Sequence, residues 1–380
     1  MTIPRRRILV NAIHARAGGG ITYLRHLLPL LAAEDDLEIH LIPHTSQADA
    51  FTALAPAVHV HRVAMPKGWL ALVLWEQTVL PFLAWRIGYD AVLSPANFGP
   101  LILPAQVIVV RNAVTVGARE KRTGKRLYWA TLRVMTALSL LVARRAIAVS
   151  QFAAETMATP FSGAMPVIIH HGVDAIFSPP PHHGAREDFL LAVGDLYIQK
   201  NLHNLIEAVA LMRRQRPATV LRIAGAEIDA DYAGRLRRLV VAHDLSEAVV
   251  FLGRRDAAEL VELYRSCAVF VFPSTIETFG QSLVEAMACG AAVVASGTAA
   301  MPEIAGGAAL LFDPDKPSDI AEKILKVLDD TALRQSLRAR ALSRAKTFTW
   351  TECARRTAAV LRESAAGRSG RAAAAPSPSG

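Results

Sequence analysis

Two kinds of hydrophobic pattern alternate along the first half of the chain. Short, mostly apolar runs alternate with longer segments whose apolar residues recur every three or four positions, typical of strands and amphipathic helices. The strand-like runs are RRILVNA, LEIHLIPH, DAVLSP, QVIVVRN and RRAIAVS, and the helical patterns cover 21–33, 69–87 and 126–143. Strands that alternate with helices predict a parallel sheet covered on both faces.

The same alternation starts again at residue 188, with strands predicted in DFLLAVG, TVLRIAGA, AVVFLGR, AVFVFP and AAVVAS. A stretch rich in Pro, His and Gly, residues 170–188, separates the halves and has the composition of a linker. The predicted fold class is α/β, with two doubly wound, parallel-sheet (Rossmann-like) domains. We place the domains at 1–172 and 173–345, followed by a helix at 346–363 that returns to the first domain and a low-complexity, disordered tail at 364–380.

Residues 69–87, WLALVLWEQTVLPFLAWRI, form the most apolar window of the chain. A membrane-spanning helix needs about 20 apolar residues without interruption, and Glu76, Gln77 and Pro81 interrupt this one. The pattern therefore favours a buried or interfacial helix, and its tryptophans suit a membrane interface.

The net charge of +9 is concentrated in residues 111–145, which hold nine arginines and lysines and one glutamate. A solvated face, contact with anionic phospholipid headgroups and binding of a pyrophosphate-bearing acceptor all remain open. No nucleic-acid recognition motif accompanies the basic run, so nucleic acid is not an expected partner. Three cysteines without paired spacing favour a reducing compartment, and the absence of a signal-peptide pattern favours the cytoplasm.

A glycine loop, HARAGGG (14–20), follows the first predicted strand, where doubly wound sheets bind ligands. The dinucleotide fingerprint is broken, because Tyr23 stands at its third glycine position and His44 stands where an acid would hold a ribose. A nicotinamide-dependent oxidoreductase is therefore only a weak alternative. The loop could also be a tight turn without a ligand.

The loop VGDLYIQKN (193–201) likewise follows a strand and opens a helix. Lys200 lies at that helix start, where the helix dipole disfavours a cation and a bound anion would remove the conflict. A solvated lysine is the simpler alternative.

The stretch ETFGQSLVEAMACG (277–290) predicts a loop and then a helix that starts near Gly280. Free backbone N–H groups at such a start can hold a phosphate. Glu277 and Glu285 would then accept hydrogen bonds from hydroxyls on either side of that phosphate. The alternative is a capping acid and a surface acid. The predicted phosphate-binding amides belong to Phe279, Gly280, Gln281, Ser282 and Leu283.

The run PSTIETFGQSLVEAMACGAAVVAS (273–296) resembles the signature of family-4 glycosyltransferases, which have the GT-B fold and carry two glutamates separated by seven residues. VGDLYIQKNL resembles the donor segment of that family, HHGVD its inter-domain segment and MPEIAGGAALLFDP its closing segment, which includes Glu303. The resemblance implies two domains that face a central cleft, with acceptor bound by the first and nucleotide sugar by the second.

The resemblance also implies residue roles. Glu277 and Lys200 would be catalytic, Glu285 would hold the ribose and Arg254 the base. The donor diphosphate would be held by Lys200, the amides at 279–283 and Gly19 and Gly20. Gln199 replaces an arginine usual in the family, and Arg254 or Arg111 would supply the missing charge. The predicted acceptor-side residues are His14, Arg111 and Asn112.

The implied activity is retaining, metal-independent transfer of a hexose, with a nucleotide diphosphate sugar as co-substrate and no cofactor. A mannose-like donor such as GDP-mannose and a lipid-linked or polysaccharide acceptor are expected. No Asp-x-Asp pair is expected at a strand end, so no metal site is predicted. The enzyme is expected to be cytoplasmic and to visit anionic membranes. The alternative from another class is a catalytically inactive, nucleotide-sugar-binding regulatory protein on the same fold.

Overall fold

The computed structural model describes residues 5–15, 18–54, 56–111, 123–158, 166–181 and 188–373. The chain divides into two compact units. The first comprises Met1–Gly117, Lys121–Gly172 and Trp350–Gly380, and the second comprises Ala118–Glu120 and Val173–Thr349. The chain thus leaves the first unit after Gly172 and returns to it at Trp350.

The first unit is built on a seven-stranded parallel sheet with strand order β3-β2-β1-β4-β5-β6-β7. Its strands are β1 (Arg6–Ala12), β2 (Leu37–Pro43), β3 (Val58–Val60), β4 (Ala91–Ser94), β5 (Gln106–Val110), β6 (Arg145–Ala148) and β7 (Val167–Ile168). Its helices are α1 (Gly19–Ala32), α2 (Trp69–Ile87), α3 (Thr123–Val142), the short α4 (Gln151–Ala153) and the C-terminal α12 (Trp350–Ala373); a 3₁₀ segment covers Thr45–Leu54 and a π segment Ala154–Ala158.

The second unit has a six-stranded parallel sheet with order β10-β9-β8-β11-β12-β13. Its strands are β8 (Phe189–Val193), β9 (Val220–Ala224), β10 (Val249–Gly253), β11 (Val269–Phe272), β12 (Val293–Ser296) and β13 (Ala309–Phe312). A 3₁₀ turn covers Ile198–Lys200, and the helices are α5 (Leu202–Met212), α6 (Ala230–Ala242), α7 (Ala257–Ser266), α8 (Gln281–Ala288), α9 (Met301–Ala305), α10 (Pro317–Asp329) and α11 (Thr331–Ala345).

The prediction of two α/β units with parallel sheets is confirmed. The strands are nearly continuous apolar runs because both faces of each sheet are covered; Ile8, Leu9 and Val10 in β1 are all fully buried. The predicted strands missed β3, β7 and β13. Two of these are only two or three residues long, which is too short for a periodic signal.

The C-terminal segment corrects one prediction. Residues 364–373 were expected to be disordered, yet α12 continues to Ala373; residues 374–380 lie outside the described part. Ser364 is fully buried and donates its hydroxyl to the Ala105 carbonyl at 2.9 Å. Arg362 anchors the same helix through hydrogen bonds of 2.6 Å to Glu34 and Asp36. Packing on the first unit therefore outweighs the low-complexity composition.

Helix α2 is long and apolar enough to cross a membrane by length and composition. One side packs on the first sheet, where Leu72, Leu80 and Ala84 are fully buried together with Leu9 and Ile42. On the other side of the helix, Leu74 and Trp85 are 65% and 73% exposed to solvent. Such a two-sided helix agrees with the predicted buried or interfacial segment.

Candidate functional site

Each sheet reverses its strand order at one point, between β1 and β4 in the first unit and between β8 and β11 in the second. Ligands of doubly wound sheets bind outside the carboxyl ends of the strands at such a point. The loops predicted to bind ligands leave those ends: the glycine loop follows β1, Lys200 follows β8, and Glu277 follows β11.

In the second unit, Lys200 Nζ lies 2.6 Å from Glu277 Oε1, across the switch point. The side chains of Lys200 and Glu277 are only 20% and 16% exposed to solvent. Lys200 also lies over the Phe272 ring, with Nζ 5.8 Å from its centroid. The two residues predicted to be catalytic are therefore in direct contact, and both side chains are largely shielded from water.

Backbone hydrogen bonds hold the two loops in register. The Thr275 N–H and hydroxyl both donate to the Gln199 carbonyl, at 2.9 and 3.3 Å, which joins the Glu277 loop to the Lys200 turn. The Ala300 N–H donates to the Glu277 carbonyl at 3.3 Å, and the Thr298 hydroxyl donates to the Thr275 carbonyl at 3.1 Å. Both catalytic candidates are thus held by the main chain of neighbouring loops.

Helix α8 begins at Gln281, as expected from the sequence, with Gly280 as its N-cap. Gly280 has φ 85°, a left-handed conformation that glycine adopts without steric cost. One predicted amide needs correction: the Leu283 N–H already donates to the Gly280 carbonyl at 3.0 Å, because the helix has made its first turn there. The Phe279 ring is buried against Phe348, with centroids 5.6 Å apart, and anchors the loop.

Glu285 is half-buried within α8 and accepts a hydrogen bond from the Tyr264 hydroxyl at 3.2 Å. Burial raises the pKa of Glu285 to about 7, and the nearby Asp174 carboxylate adds to this rise. Hydrogen bonding by Tyr264 and the charge of Lys200 act in the opposite direction. This carboxyl is not a solvated surface acid.

Three other residues of the second unit, Arg254, Ser274 and Glu303, lie in different environments. Arg254 follows the outer strand β10 and is exposed, and it contacts no described residue through a hydrogen bond or ion pair. Ser274, at the end of β11, was missed by the sequence analysis; its hydroxyl is buried and has no hydrogen-bond partner among the described residues. Glu303 lies in α9, and its carbonyl accepts a 2.7 Å hydrogen bond from Arg344.

The expectation that no Asp-x-Asp pair ends a strand is wrong. Asp313 and Asp315 directly follow β13, a strand that the sequence analysis did not identify. Asp313 forms a 3.0 Å ion pair with Lys316, and its own N–H donates to Asp319 at 2.7 Å. These carboxylates lie beyond the outermost strand, away from the switch point.

In the first unit, Arg111 extends to the glycine loop. A Cβ at Gly19 would lie 3.3 Å from Arg111 Nη2, so glycine leaves room for the guanidinium at the start of α1. Arg111 lies 5.3 Å over the ring of Tyr23, which is itself buried. Burial lowers the pKa of Arg111 to about 10, so it remains a cation at neutral pH. The structure therefore brings the predicted Gly19, Gly20 and Arg111 together.

A buried carboxylate lies beside this loop and was not recognised in the sequence. Glu76 of α2 is fully buried, and its two oxygens contact Asn11 Nδ2 at 2.6 Å and His14 Nε2 at 3.1 Å. The His14 ring packs on Phe98 with centroids 4.6 Å apart. In the sequence, Glu76 was interpreted only as an interruption of the apolar window. A charged residue in such a window indicates that its side chain has a buried polar partner.

The remaining predicted acceptor-side residue, Asn112, and residues 113–122 of the basic segment lie outside the described residues. Of that segment, Arg133, Arg144 and Arg145 are exposed.

Comparison with known proteins agrees with this arrangement. The family model "Glycosyl transferases group 1" matches residues 173–344, which is most of the second unit. The chain is 30% identical over 188 residues to the serotype-specific mannosyltransferase WbdA of Escherichia coli, covering 49% of this chain and 23% of WbdA. It is 33% identical over 177 residues to the O-antigen chain mannosyltransferase B of Escherichia coli, covering 46% of this chain and 45% of that protein.

The chain therefore spans less than half the length of these two relatives. Among solved structures, the sucrose-phosphate synthase of Thermosynechococcus elongatus matches with a TM-score of 0.75 and 20% identity, over 96% of this chain and 100% of that one. The likeness extends over both units and shows a shared fold. Residues 173–344 thus match the group 1 glycosyltransferase family, and the chain as a whole has the fold of GT-B glycosyltransferases.

Proposed function

We propose that this protein is a retaining glycosyltransferase that transfers a hexose from a nucleoside diphosphate sugar to a glycan or lipid-linked acceptor. The observation that carries the proposal is the 2.6 Å contact between Lys200 and Glu277 at the switch point of the second sheet. A half-buried ion pair at a ligand-binding edge can exchange one of its partners for a charged ligand. The diphosphate of the donor would compete with Glu277 for the lysine.

The reaction breaks the bond between the sugar's anomeric carbon and the diphosphate and forms a bond from that carbon to the acceptor oxygen. The proton of the acceptor hydroxyl would pass to the leaving diphosphate. The diphosphate leaves with the bonding electrons, so negative charge grows on it in the transition state. Lys200 and the amides at the start of α8 would stabilise this charge, which is often the largest contribution to catalysis. Glu277, released from Lys200, would bind the sugar near the anomeric carbon, where positive charge develops.

Glu285 and Arg254 would bind the nucleoside. A ribose offers two hydroxyls that donate hydrogen bonds, and the Glu285 carboxylate can accept both. Because the pKa of Glu285 is raised to about 7, its carboxylate form dominates only above neutral pH in the free protein. A bound ribose would favour the ionised form by donating to it. Arg254 is exposed on the same edge and would contact the base.

A mannose-like donor, with GDP-mannose as the first candidate, follows from the resemblance and is supported by the two mannosyltransferase relatives. Their names connect them with O-antigen chains and serotype, so cell-surface glycan assembly is the process we propose. The reaction as proposed uses neither cofactor nor metal.

The first unit would bind the acceptor. His14, held by Glu76, and the buried cation Arg111 line the carboxyl edge of its sheet beside the glycine loop. A lipid-linked acceptor would bring the enzyme to an anionic membrane. Two features support this: the basic segment at 111–145 and the apolar outer side of α2, where Leu70, Leu74, Phe82 and Trp85 are exposed. We therefore propose a cytoplasmic enzyme that associates peripherally with the inner membrane face.

The test is a screen of UDP-, GDP-, ADP- and dTDP-sugars for thermal stabilisation, followed by product analysis with lipid-linked and oligosaccharide acceptors. Ligand binding to the native state raises the unfolding temperature by mass action. Stabilisation by one nucleotide sugar, and an α-configured product from an α-configured donor, would support retaining transfer.

Two other outcomes would argue against a retaining glycosyltransferase. Binding of a nucleotide sugar without its consumption in the presence of any acceptor would favour an inactive regulatory protein, which Gln199 and Arg111 motivate as the alternative. Stabilisation by NAD or NADP alone would favour an oxidoreductase, against which Tyr23, at the third glycine position of the fingerprint, already argues.

A further inference from the structure

A second cluster of ligand-type side chains lies on the first sheet, far along the strands from the glycine loop. Strands β2 and β3 pair in parallel, with His40 opposite His59, and side chains two apart share one face of a strand. Glu38 and His40 of β2, His59 of β3 and His61 just after β3 therefore point to the same side. The His61 N–H continues the ladder by donating to the Leu41 carbonyl at 2.8 Å.

Three of these residues bring their polar atoms to one point. Glu38 Oε1 lies 2.9 Å from His40 Nε2 and 3.5 Å from His59 Nε2, and all three atoms lie within 4.8 Å of one another. Ligand atoms around a tetrahedral zinc ion are separated by about 3.3 Å, given metal–ligand bonds of about 2.0–2.1 Å. The widest separation, up to 4.8 Å, would have to close by about 1.5 Å to enclose an ion.

The outer contacts of the cluster also fit metal binding. His40 Nδ1 lies 2.9 Å from His61 Nε2. With a metal bound at Nε2, the His40 proton would lie on Nδ1 and be donated to His61. Arg7 Nε lies 3.5 Å from the other carboxylate oxygen of Glu38 and orients that side chain. Ligating histidines commonly donate their second ring N–H to such a partner, which fixes the tautomer.

We propose that Glu38, His40 and His59 bind one divalent transition-metal ion of the zinc class, with water at the fourth position. Two imidazoles and one carboxylate match the ligand preference of Zn²⁺. His59 keeps 54% of its side-chain exposure, so the site is open to ions from solution. Strand β3 has only three residues and lies at the sheet edge, and the ion would tie it to β2. This site is separate from the proposed donor site and independent of its chemistry.

The experiment uses tag-free, full-length protein stripped with EDTA, then titrated with Co²⁺ followed by visible absorption and with Zn²⁺ followed by calorimetry. We expect one ion per chain and a Co²⁺ spectrum of four-coordinate type. Glu38→Gln and His59→Asn should each weaken binding tenfold or more. His61→Leu, which removes only the partner of His40, should weaken it by about 10–100-fold. His243→Gln, on an exposed histidine of the second unit, is the matched control and should bind as the unaltered protein does.

Circular dichroism and thermal unfolding would establish that each variant is folded before its affinity is compared. Two results would overturn the proposal. The first is the absence of stoichiometric Zn²⁺ binding to the folded, unaltered protein, which would leave the cluster as a hydrogen-bonded histidine stack. The second is unchanged stoichiometry and affinity in the Glu38→Gln, His59→Asn double variant. That result would move the ion to another ligand set, such as His182 and His183, which lie outside the described residues.

Discussion

Lys200 and Glu277 are 77 positions apart in the chain, and their side chains meet at 2.6 Å at the carboxyl edge of the second sheet. The contact joins the loops after β8 and β11, which are neighbours in the sheet although two strands and three helices separate them along the chain. Because each charge is largely shielded from water, losing either one leaves the other without its partner. The proposed roles of the two residues can be separated by kinetics.

Glu277→Gln should abolish detectable transfer while leaving nucleotide affinity within about threefold. The amide keeps the size of the side chain but removes the charge that would face the anomeric carbon. Product formation measures the first effect, and calorimetric titration with the nucleoside diphosphate measures the second. Full turnover in this variant would remove Glu277 from the reacting centre.

Lys200→Ala should lower kcat by about 10²–10³-fold and change donor KM less, since the charge on the leaving diphosphate grows in the transition state. Steady-state kinetics with a saturating acceptor measure both constants. Arg214→Ala, which removes an exposed cation of the same unit, is a suitable control. A kcat equal to that of the unaltered enzyme would show that another cation, with Arg254 the first candidate, neutralises the diphosphate.

Glu285→Gln should make the folded protein more stable above neutral pH. Because its folded pKa is raised from 4.5 to about 7, the native state holds the proton more tightly than the unfolded state. The free energy of unfolding therefore falls as pH rises between these values, and the neutral amide avoids this loss. We expect the advantage of the variant to grow by about 1–3 kcal/mol from pH 5 to pH 8, as measured by denaturant unfolding.

The same residue should control nucleotide binding. Glu285→Ala removes the acceptor for the ribose hydroxyls and should weaken donor affinity by about tenfold or more, since hydrogen bonds to a charged group contribute about 1.5–3 kcal/mol. Competition with a 2′,3′-dideoxyribose analogue checks the assignment, because the variant and the unaltered protein should bind that analogue equally. Unchanged donor affinity with collapsed turnover would mean that the roles of Glu277 and Glu285 are reversed.

Glu76→Ala should destabilise the first unit by about 2–5 kcal/mol, because the amide of Asn11 and the ring of His14 lose their buried partner. His14→Ala removes a less buried side chain and should instead raise the acceptor KM while leaving donor KM unchanged. Thermal unfolding and two-substrate kinetics distinguish these effects. An equal rise of both KM values for His14→Ala would argue against an acceptor-side role.

Membrane association should depend on both charge and apolar surface. Changing Lys121, Arg122, Lys125 and Arg126 to Ser should reduce co-sedimentation with anionic liposomes at low salt, since each basic residue near such a surface contributes about 1 kcal/mol. Leu74→Ser with Trp85→Ser should reduce the binding that persists at high salt. Val241→Ser, at an exposed apolar position of the second unit, serves as control. Binding that ignores lipid charge, salt and these substitutions would favour a soluble acceptor.

The hydrophobic periodicity determined the α/β class, the two-unit organisation and most elements to within one or two residues. β1 was predicted as RRILVNA and spans Arg6–Ala12, and the quoted glutamate stretch does open a helix at Gln281. These features are local: a strand buried on both faces needs a continuous apolar run, and glycine adopts the left-handed conformation found just before α8 without steric cost.

Tertiary structure alone decided which side chains meet. Neither periodicity nor composition could show that Lys200 contacts Glu277, that Arg111 fills the space left by Gly19, or that the charge at Glu76 is paired within the core. These contacts depend on strand order, which sets neighbours across the sheet independently of their distance along the chain. Helix α12 illustrates the same limit, because an alanine-rich tail becomes ordered where Arg362 and Ser364 find partners on the first unit, and no local pattern encodes those partners.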